Sequence, residues 1–228
     1  MSQFSYFVRP ITTAECRPWL EEKHYLRRMT SISYAFGLFD GARLIGACTF
    51  GNAVPMQMKK SLCGEAWQDK VYELNRLCLE EGLPKNAASY FVSRCLVALP
   101  HPTIVVSYAD KSVGHNGYIY QACNFMFTGT SHVQKDWKLR GKEHLHSRTL
   151  MDEFAFEEDR VAKLKEKYGD ELYQVERPPK YRYVYFVGDR RQVKEMHKAK
   201  RFTALPYPKG DNTRYDSGGD VATQLVMF

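Results

Sequence analysis

The fold is decided by two neighbouring stretches, VYELNRLCLEEGLPKNAASYFVSRCLVAL at residues 71–99 and TIVVSYADKSVGHNGYIYQACNFMF at residues 103–127. Apolar and β-branched runs predict strands at residues 71–78 and 103–108. Helical spacing between them predicts a helix at residues 87–99, with Asn86 placed to cap it. A short helix at 115–125 and a strand at 125–130 follow. Because many polar groups stand among these elements, we place the candidate active site here.

The rest of the chain continues this alternation. We predict a strand at residues 6–12 and a helix at 13–25, with Thr12 or Thr13 as N-cap and Glu15 in the first turn. A hairpin turns at Asp40-Gly41, between strands at 34–39 and 43–50. Further on, we predict one exposed helix at 152–169, ended by Gly169, then a strand at 181–187, a basic helix at 189–201 and a loop-like tail.

Alternating strands and helices predict an α/β fold with a mixed central sheet flanked by helices. With 228 residues, 44% of them hydrophobic, the chain can bury one substantial core. We therefore predict a catalytic core at residues 1–130 and a basic C-terminal extension at 131–228 that packs on the core or completes it.

Cysteine usage and hydropathy bear on the compartment. The six cysteines are scattered without a CxxC pair, and the N-terminus does not resemble a signal peptide. This pattern indicates a reducing, cytoplasmic compartment. Since no apolar run approaches the roughly 20 residues that cross a bilayer, we expect no membrane partner.

Positive charge is concentrated near the C-terminus. Residues 177–201 hold nine Lys or Arg against two acids, an excess that equals the net charge of the whole chain, +7. Such a segment, interleaved with tyrosines, suits a polyanion, because each cation that neutralises a phosphate releases a counterion. The alternative is a solvated helix face. We favour contact with nucleic acid, made by Lys180, Arg182, Arg190, Arg191, Lys194 and Lys198.

Four motifs in this order resemble one protein family. They are KHYLRR at residues 23–28, ELNRL at 73–77, SYAD at 107–110 followed by GHNGYIYQACNF at 114–125, and LPYPKGDNTRYD at 205–216. Together they resemble the Mom family of phage DNA-modification proteins. The resemblance implies a fold like that of the GCN5-related N-acetyltransferases and conversion of adenine in DNA to N6-carbamoylmethyladenine, which resists host restriction. It also implies double-stranded DNA as the partner, and links to acetyl-CoA and to iron.

Asp110 and Arg76 are the first candidate site residues. Asp110 follows a buried-type strand, and open sheets place site residues at such strand ends. We predict a base or hydrogen-bonding anchor for the adenine amino group, the alternative being a helix N-cap. Arg76 faces opposite to Asn75 on a regular strand. Its guanidinium suits a carboxylate, phosphate or thioester oxygen, and the alternative is an ion pair with Glu73 or Glu80.

Three further roles come from the resemblance. It makes His24 a candidate metal ligand or proton carrier, although a histidine at a helix C-terminus is often only a partner of the helix dipole. It makes Tyr25 a candidate base-stacking or acid group. Tyr120 would protonate a leaving thiolate.

In the acetyltransferase fold that the resemblance implies, the acyl carrier lies between two diverging parallel strands. Here these are the strands at 71–78 and 103–108, with the loop at 81–88 supplying N–H groups to the pyrophosphate. We expect Arg76, Lys85, Asn86 and Ser93 to contact acetyl-CoA. The loop reads EEGLPKNAAS and departs from the usual Gln or Arg followed by Gly-x-Gly or Gly-x-Ala.

Two other functions stay open at this point. An acyl-CoA-dependent N-acyltransferase acting on a protein or a small-molecule amine would bind CoA without needing DNA. A DNA-binding protein without catalysis would tolerate Asp110→Ala. The basic segment disfavours the first function, and the cluster of polar groups disfavours the second.

Overall fold

The computed structural model describes residues 5–24, 26–111 and 114–210, and the backbone of Val226–Met227. It divides into two compact units. The larger comprises Met1–Thr130 and Lys180–Phe228, and the smaller comprises Ser131–Pro179. We predicted one domain boundary, after residue 130. The structure has a second boundary, between Pro179 and Lys180, where the chain returns to the larger unit.

The larger unit is built on one mixed sheet. Its strands are β1 Phe7–Pro10, β2 Tyr34–Asp40, β3 Arg43–Gly51, β4 Val71–Leu79, β5 Thr103–Ala109, β6 Met126–Thr130, β9 Tyr181–Val187 and β10 Val226–Met227. Their order is β1-β2-β3-β4-β5-β9-β6, and β10 pairs with β4. All neighbouring pairs are antiparallel except β4 and β5, which are parallel.

Helices cover both faces of this sheet. They are α1 Thr13–Pro18, continued by a π-helical turn at Trp19–Lys23, α2 Met56–Cys63, followed by a 3₁₀ helix at Glu65–Lys70, α3 Ala87–Ala98, α4 Tyr118–Ala122 and α7 Arg190–Ala199. The predicted mixed sheet flanked by helices is confirmed. None of the helices in the described part of the chain is both long enough and apolar enough to span a membrane.

Three apolar clusters hold the larger unit together. The largest packs α3 and α4 on one face of the sheet and includes Leu74 and Tyr183. The opposite face carries two clusters, one beneath α2 and α7 that includes Val106 and Met196, and one beneath α1 that includes Cys16. Because strand side chains alternate between faces, membership in these clusters identifies the face on which a neighbouring strand residue lies.

A β-bulge in β4 changes this alternation. Thr49 on β3 pairs with Arg76, but the next residue, Phe50, pairs with Leu74, so Asn75 is an extra residue on β4. Asn75 is buried, accepts a hydrogen bond from the Thr49 hydroxyl at 2.6 Å, and donates to the Ser31 carbonyl at 2.8 Å. Because of the extra residue, Glu73 and Arg76 lie on the same face of the sheet, although a regular strand would place them on opposite faces.

The parallel strands β4 and β5 stay together only briefly. They pair from Val71 with Ile104 to Glu73 with Val106, and beyond this point β4 continues without β5. The backbone of β10 pairs with β4 further along, at Leu77 and Cys78. Since β3 occupies the other edge of β4, β10 lies on the edge that faces β5.

The smaller unit has its own two-stranded sheet and core. Its strands β7 Gln134–Leu139 and β8 Leu172–Arg177 are antiparallel, and its helices are α5 Ser147–Asp152 and α6 Arg160–Tyr168. Leu139, Leu150 and Leu164 form its buried cluster.

Several element boundaries differ from the sequence prediction. The predicted helix at 13–25 is α1 plus the π-helical turn, although the capping box of Thr12 and Glu15 is present. The helix predicted from residue 115 begins only at Tyr118, because Gly117 is left-handed, with φ of 75°. Asn86 precedes α3 but makes no side-chain cap. The single helix predicted at 152–169 is instead the end of α5 and a separate α6, while Gly169 does end α6.

Candidate functional site

Polar side chains of β4, β5 and β9 lie on the face of the sheet that α1, α2 and α7 cover. Side chains two positions apart on a strand lie on the same face. Val71, Val106 and Val184 lie on this face, so Glu73, Tyr108 and Arg182 lie on it too, and the bulge adds Arg76. The same alternation, continued past the strand ends, adds the residue after β5 and the residue before β9. We call this set the polar strip: Glu73, Arg76, Tyr108, Asp110, Lys180 and Arg182.

An ion pair closes one end of the polar strip. The Lys180 ammonium lies 2.8 Å from an Asp110 carboxylate oxygen, with side-chain exposures of 24% and 10%. Asp110 also uses its backbone carbonyl to accept from the His115 N–H at 3.1 Å. Because the ammonium is opposite in charge and close, it stabilises the ionised form of Asp110. Asp110 thus has the acceptor-only chemistry of a carboxylate.

Arg182 is held by the neighbouring strand. Its guanidinium donates to the Thr128 hydroxyl at 2.7 Å and to the Thr128 carbonyl at 3.2 Å. Lys180 and Arg182 were predicted to contact DNA, and the structure places both in the polar strip. Their contact with DNA remains a prediction.

Glu73 lies at the centre of the polar strip, where β4 and β5 separate. Burial raises the pKa of Glu73, and the nearby charges of Arg76 and Lys180 offset this only in part. Burial, together with the charge of Glu73, also raises the pKa of Tyr108 to about 12. Tyr108 is therefore a neutral hydrogen-bonding group at physiological pH.

Arg76 connects the polar strip to His24. Its guanidinium donates to the Asn75 carbonyl at 2.6 Å. His24 is buried, and burial together with the charge of Arg76 lowers its pKa to about 3, so the ring is neutral. The Leu26 N–H donates to His24 Nδ1 at 3.1 Å, which leaves the ring proton of the neutral form on Nε2. Tyr25 lies outside the described residues.

The motifs ELNRL and SYAD thus meet at one place in the fold. A model of the Mom protein family matches residues 5–209. This chain belongs to the Mom protein family. It is 31% identical over 207 residues to the methylcarbamoylase Mom of Escherichia phage Mu, covering 89% of this chain and 83% of that protein. A solved N-acetyltransferase from Staphylococcus aureus Mu50 covers 81% of this chain and 99% of its own, with a TM-score of 0.43 and 12% identity.

Tyr120 lies on the other face of the sheet in this Mom-family protein. Its ring packs at 5.4 Å from that of Phe125 and at 5.3 Å from that of Tyr183, inside the α3/α4 cluster. The hydroxyl oxygen is buried. Tyr120 and the polar strip therefore lie on opposite faces of the sheet, and the role of Tyr120 stays a prediction.

The four predicted cofactor residues do not lie together. Lys85 and Asn86 are exposed at the start of α3, and Arg76 belongs to the polar strip. Ser93 lies seven residues after Asn86, about 10 Å along the helix axis. Its hydroxyl donates to the Ser89 carbonyl at 2.8 Å, and the residue lines a separate cavity of about 570 Å³ with Cys123 and His197.

The four remaining DNA-contact candidates lie on α7 and are exposed. Asp189 and Gln192 form a capping box at the start of this helix, and Met196 anchors it to the sheet. Arg191 pairs with Glu195 at 3.0 Å. A spacing of four residues puts Arg190, Lys194 and Lys198 along one side of α7.

Sequence reasoning missed two residues of the polar strip, Glu73 and Tyr108. Glu73 was considered only as an ion-pair partner of Arg76. Its position in ELNRL was visible, but a regular strand would place it on the face opposite to Arg76. Only the bulge at Asn75 puts Glu73 and Arg76 on one face, and no residue type in the sequence predicts that bulge.

Proposed function

We propose that this protein modifies DNA by converting adenine to N6-carbamoylmethyladenine. The modified base would protect the DNA that contains it from restriction. The observation that carries the proposal is the polar strip, which joins the family motifs ELNRL and SYAD in one band of ionisable groups at the diverging strands. The chain's membership of the Mom family and the name methylcarbamoylase of its phage Mu relative support the same chemistry.

The adenine must leave the duplex to be modified. Its amino group is paired and stacked in DNA, and enzymes that act on a base flip it out at a cost of a few kcal/mol. In our proposal Asp110 accepts a hydrogen bond from the amino group and Lys180 holds that carboxylate in place. Arg76 binds an oxygen of the incoming group in bidentate fashion.

The basic side of α7 supplies the contact with DNA in this proposal. Arg190, Lys194 and Lys198 are exposed on one side of the helix. Neutralisation of phosphates by these cations would hold the duplex without reading its sequence.

Acetyl-CoA is the proposed donor, and part of its expected site fits. No side chain caps the first turn of α3, Gly82 has φ of 74° with open space around it, and Lys85 is exposed, so this turn offers a pyrophosphate a helix N-terminus beside a basic side chain. The edge of β4 that an extended pantetheine arm would follow is occupied by β10 at Leu77 and Cys78. When bound, acetyl-CoA supplies an activated two-carbon unit, and Lys85 and Asn86 would hold its phosphates.

The described residues fit iron poorly. None of them form a group of three or more His, Cys, Asp or Glu side chains able to hold a metal ion. The hydrogen bond from Leu26 to His24 Nδ1 leaves a proton on Nε2, and a ring nitrogen that carries a proton cannot bind a metal. We therefore derive no step through iron.

Mass spectrometry of nucleosides tests the function. DNA from cells that express the protein should contain a deoxyadenosine heavier by one carbamoylmethyl group. The signal should be absent with Asp110→Ala and with Tyr120→Phe, and present with Asp69→Ala, which removes an exposed carboxylate from the 3₁₀ helix after α2. Unchanged deoxyadenosine from well-folded wild-type protein would contradict the proposal, and CoA binding would then be measured to test an acyltransferase.

A further inference from the structure

A cavity lies at the edge of the sheet, towards the end of β9 that is remote from the polar strip. It has a volume of about 570 Å³ and is lined by residues of α3, the end of α4, the second half of β9 and α7. Lys180 precedes β9 and Val187 ends it, so the cavity lies roughly 20 Å from the Asp110–Lys180 ion pair, at about 3.3 Å for each strand residue. We call it the edge cavity. Its volume is that of a small-molecule site.

One wall of the edge cavity is a length of β9 that β6 does not cover. The pairing of β6 with β9 runs only from Thr130, opposite Tyr181, to Met126, opposite Val184. β9 continues through residues 185–187, whose described strand partners all lie on β5. Alternate residues of an antiparallel strand direct both their N–H and C=O groups to the same edge. This wall therefore offers backbone donors and acceptors to a ligand with a polar, planar rim.

The lining of the edge cavity is uncharged, whereas basic side chains stand beside it. None of the described residues that line it is Lys, Arg, Asp or Glu. α7 contributes Val193 and His197 to the lining, and the exposed Arg190 and Lys194 each lie three positions earlier, on the same side of the helix. A ligand that fits both regions has a neutral part that enters the cavity and an anionic part that stays outside, because an unpaired charge is costly to bury.

Aromatic rings line the edge cavity from two elements. Tyr185 and Phe186 belong to β9, and His197 of α7 packs edge-on against Phe186, with ring centroids 5.1 Å apart and an interplanar angle of 78°. His197 is exposed, so its ring can also stack on a ligand. Nucleic-acid bases stack on tyrosine, phenylalanine and histidine side chains whatever their sequence. A nucleotide, which joins a neutral aromatic base to an anionic phosphate, thus matches both the lining and the basic side chains beside it.

We propose that the edge cavity binds a nucleotide, with the base stacked on His197 beside the open edge of β9 and the phosphate on Arg190 and Lys194. Two sources have this chemistry, an unstacked nucleotide of a DNA strand that lies along α7 and a free nucleoside phosphate. The inference goes beyond the proposed function, because this site lies away from the polar strip and binds a nucleotide without modifying it.

Binding of 2-aminopurine compounds tests the proposal without catalysis, because the fluorescence of this base falls when it stacks on a ring. The probes are the deoxynucleoside, its 5′-monophosphate, and a single-stranded pentamer with 2-aminopurine at the centre and thymine elsewhere. The proteins are wild type, His197→Ala, His197→Phe and the double variant Arg190→Ala with Lys194→Ala. The matched control is His144→Ala, which removes an exposed histidine of the smaller unit.

We expect His197→Ala to weaken binding of the nucleoside and of the monophosphate about tenfold. His197→Phe, which keeps a ring, should bind like wild type, as should His144→Ala. The double variant should weaken binding of the monophosphate about fivefold and leave that of the nucleoside unchanged.

The pentamer distinguishes the two sources. The same loss on His197→Ala with the pentamer assigns the site to a nucleotide of a DNA strand, and a pentamer that is insensitive to this change assigns it to a free nucleotide. Equal affinities of wild type and His197→Ala for the monophosphate, or no fluorescence change with any probe, would overturn the proposal. Failure of the DNA-modification proposal would appear separately, as unmodified deoxyadenosine in the mass spectrum.

Discussion

Replacing Asn75 by alanine should destabilise the protein and disrupt the arrangement of side chains in the polar strip. Asn75 is 4% exposed and makes three side-chain hydrogen bonds, with Thr49 at 2.6 Å, Ser31 at 2.8 Å and Thr30 at 3.3 Å. Two of these are short, and each is worth about 1 kcal/mol net. Loss of the partner for the buried Thr49 hydroxyl adds a further penalty of about 1 kcal/mol. We therefore expect the free energy of unfolding to fall by about 3 kcal/mol.

Urea denaturation measures this loss. With an m value of about 3 kcal/mol/M, the midpoint should fall by about 1 M. Ser61→Ala, which removes an exposed hydroxyl that bonds within α2, is the control and should change stability by less than about 0.5 kcal/mol. A cycle with Thr49→Val should give a coupling of about 1 kcal/mol with Asn75→Ala, because the two residues share one hydrogen bond.

In Asn75→Ala, DNA-modifying activity should fall by more than the loss of folded protein accounts for. The bulge places Glu73 and Arg76 on one face, so a regular strand would turn one of them away from the substrate. If the free energy of unfolding of Asn75→Ala lies within about 1 kcal/mol of the wild-type value, the stability assigned to these hydrogen bonds is refuted. Full DNA modification by the folded variant would refute the account of the bulge.

The remaining predictions concern charge, backbone and linkage. Changing Arg190, Arg191 and Lys194 together to alanine should weaken DNA binding and reduce its salt slope by about 0.9 for each phosphate that is no longer neutralised, and an unchanged slope would move the DNA surface elsewhere. Gly117→Ala should cost at least about 2 kcal/mol, because its Cβ would lie 2.4 Å from the Tyr183 ring at φ of 75°, while Gly82→Ala, with φ of 74° and open space, should cost about half as much on thermal denaturation. Since the pKa of Glu73 is raised on folding from an ordinary value of 4.5, its stabilising contribution is present at low pH and is lost as pH rises through the folded pKa. Glu73→Gln should therefore be more stable than wild type at pH 8 but not below pH 4.5, and the same stability difference at both pH values would contradict this linkage.

Much of the larger unit could be predicted from local pattern. The β2–β3 hairpin, β4, α3, β5, β9 and α7 all lie where apolar periodicity and turn residues put them. The two-residue turn after Asp40 and the capping residue Asp189 are local signals of this kind. Such signals work because they depend on the backbone within a few residues, which the sequence lists directly.

The missed features depend on contacts distant in sequence. The bulge at Asn75 is stabilised by Ser31 and Thr49, and the late start of α4 depends on Gly117 lying against Tyr183. In the smaller unit, β7 and β8 pair although more than 30 residues separate them in sequence. Neither strand has enough apolar residues for its pattern to predict a strand. The placement of Lys180 beside Asp110 has the same origin, since β9 joins β5 from a remote part of the chain.

The way in which the smaller unit is joined to the sheet has a consequence for protein engineering. Thr130, the last residue before it, is the direct cross-strand partner of Tyr181, close behind it. The chain therefore leaves and re-enters the larger unit at adjacent points, as it would in an ordinary hairpin. Residues 131–179 can thus be treated as a removable cassette, in which a short turn or a reporter domain with neighbouring termini could replace the natural segment without interrupting the sheet.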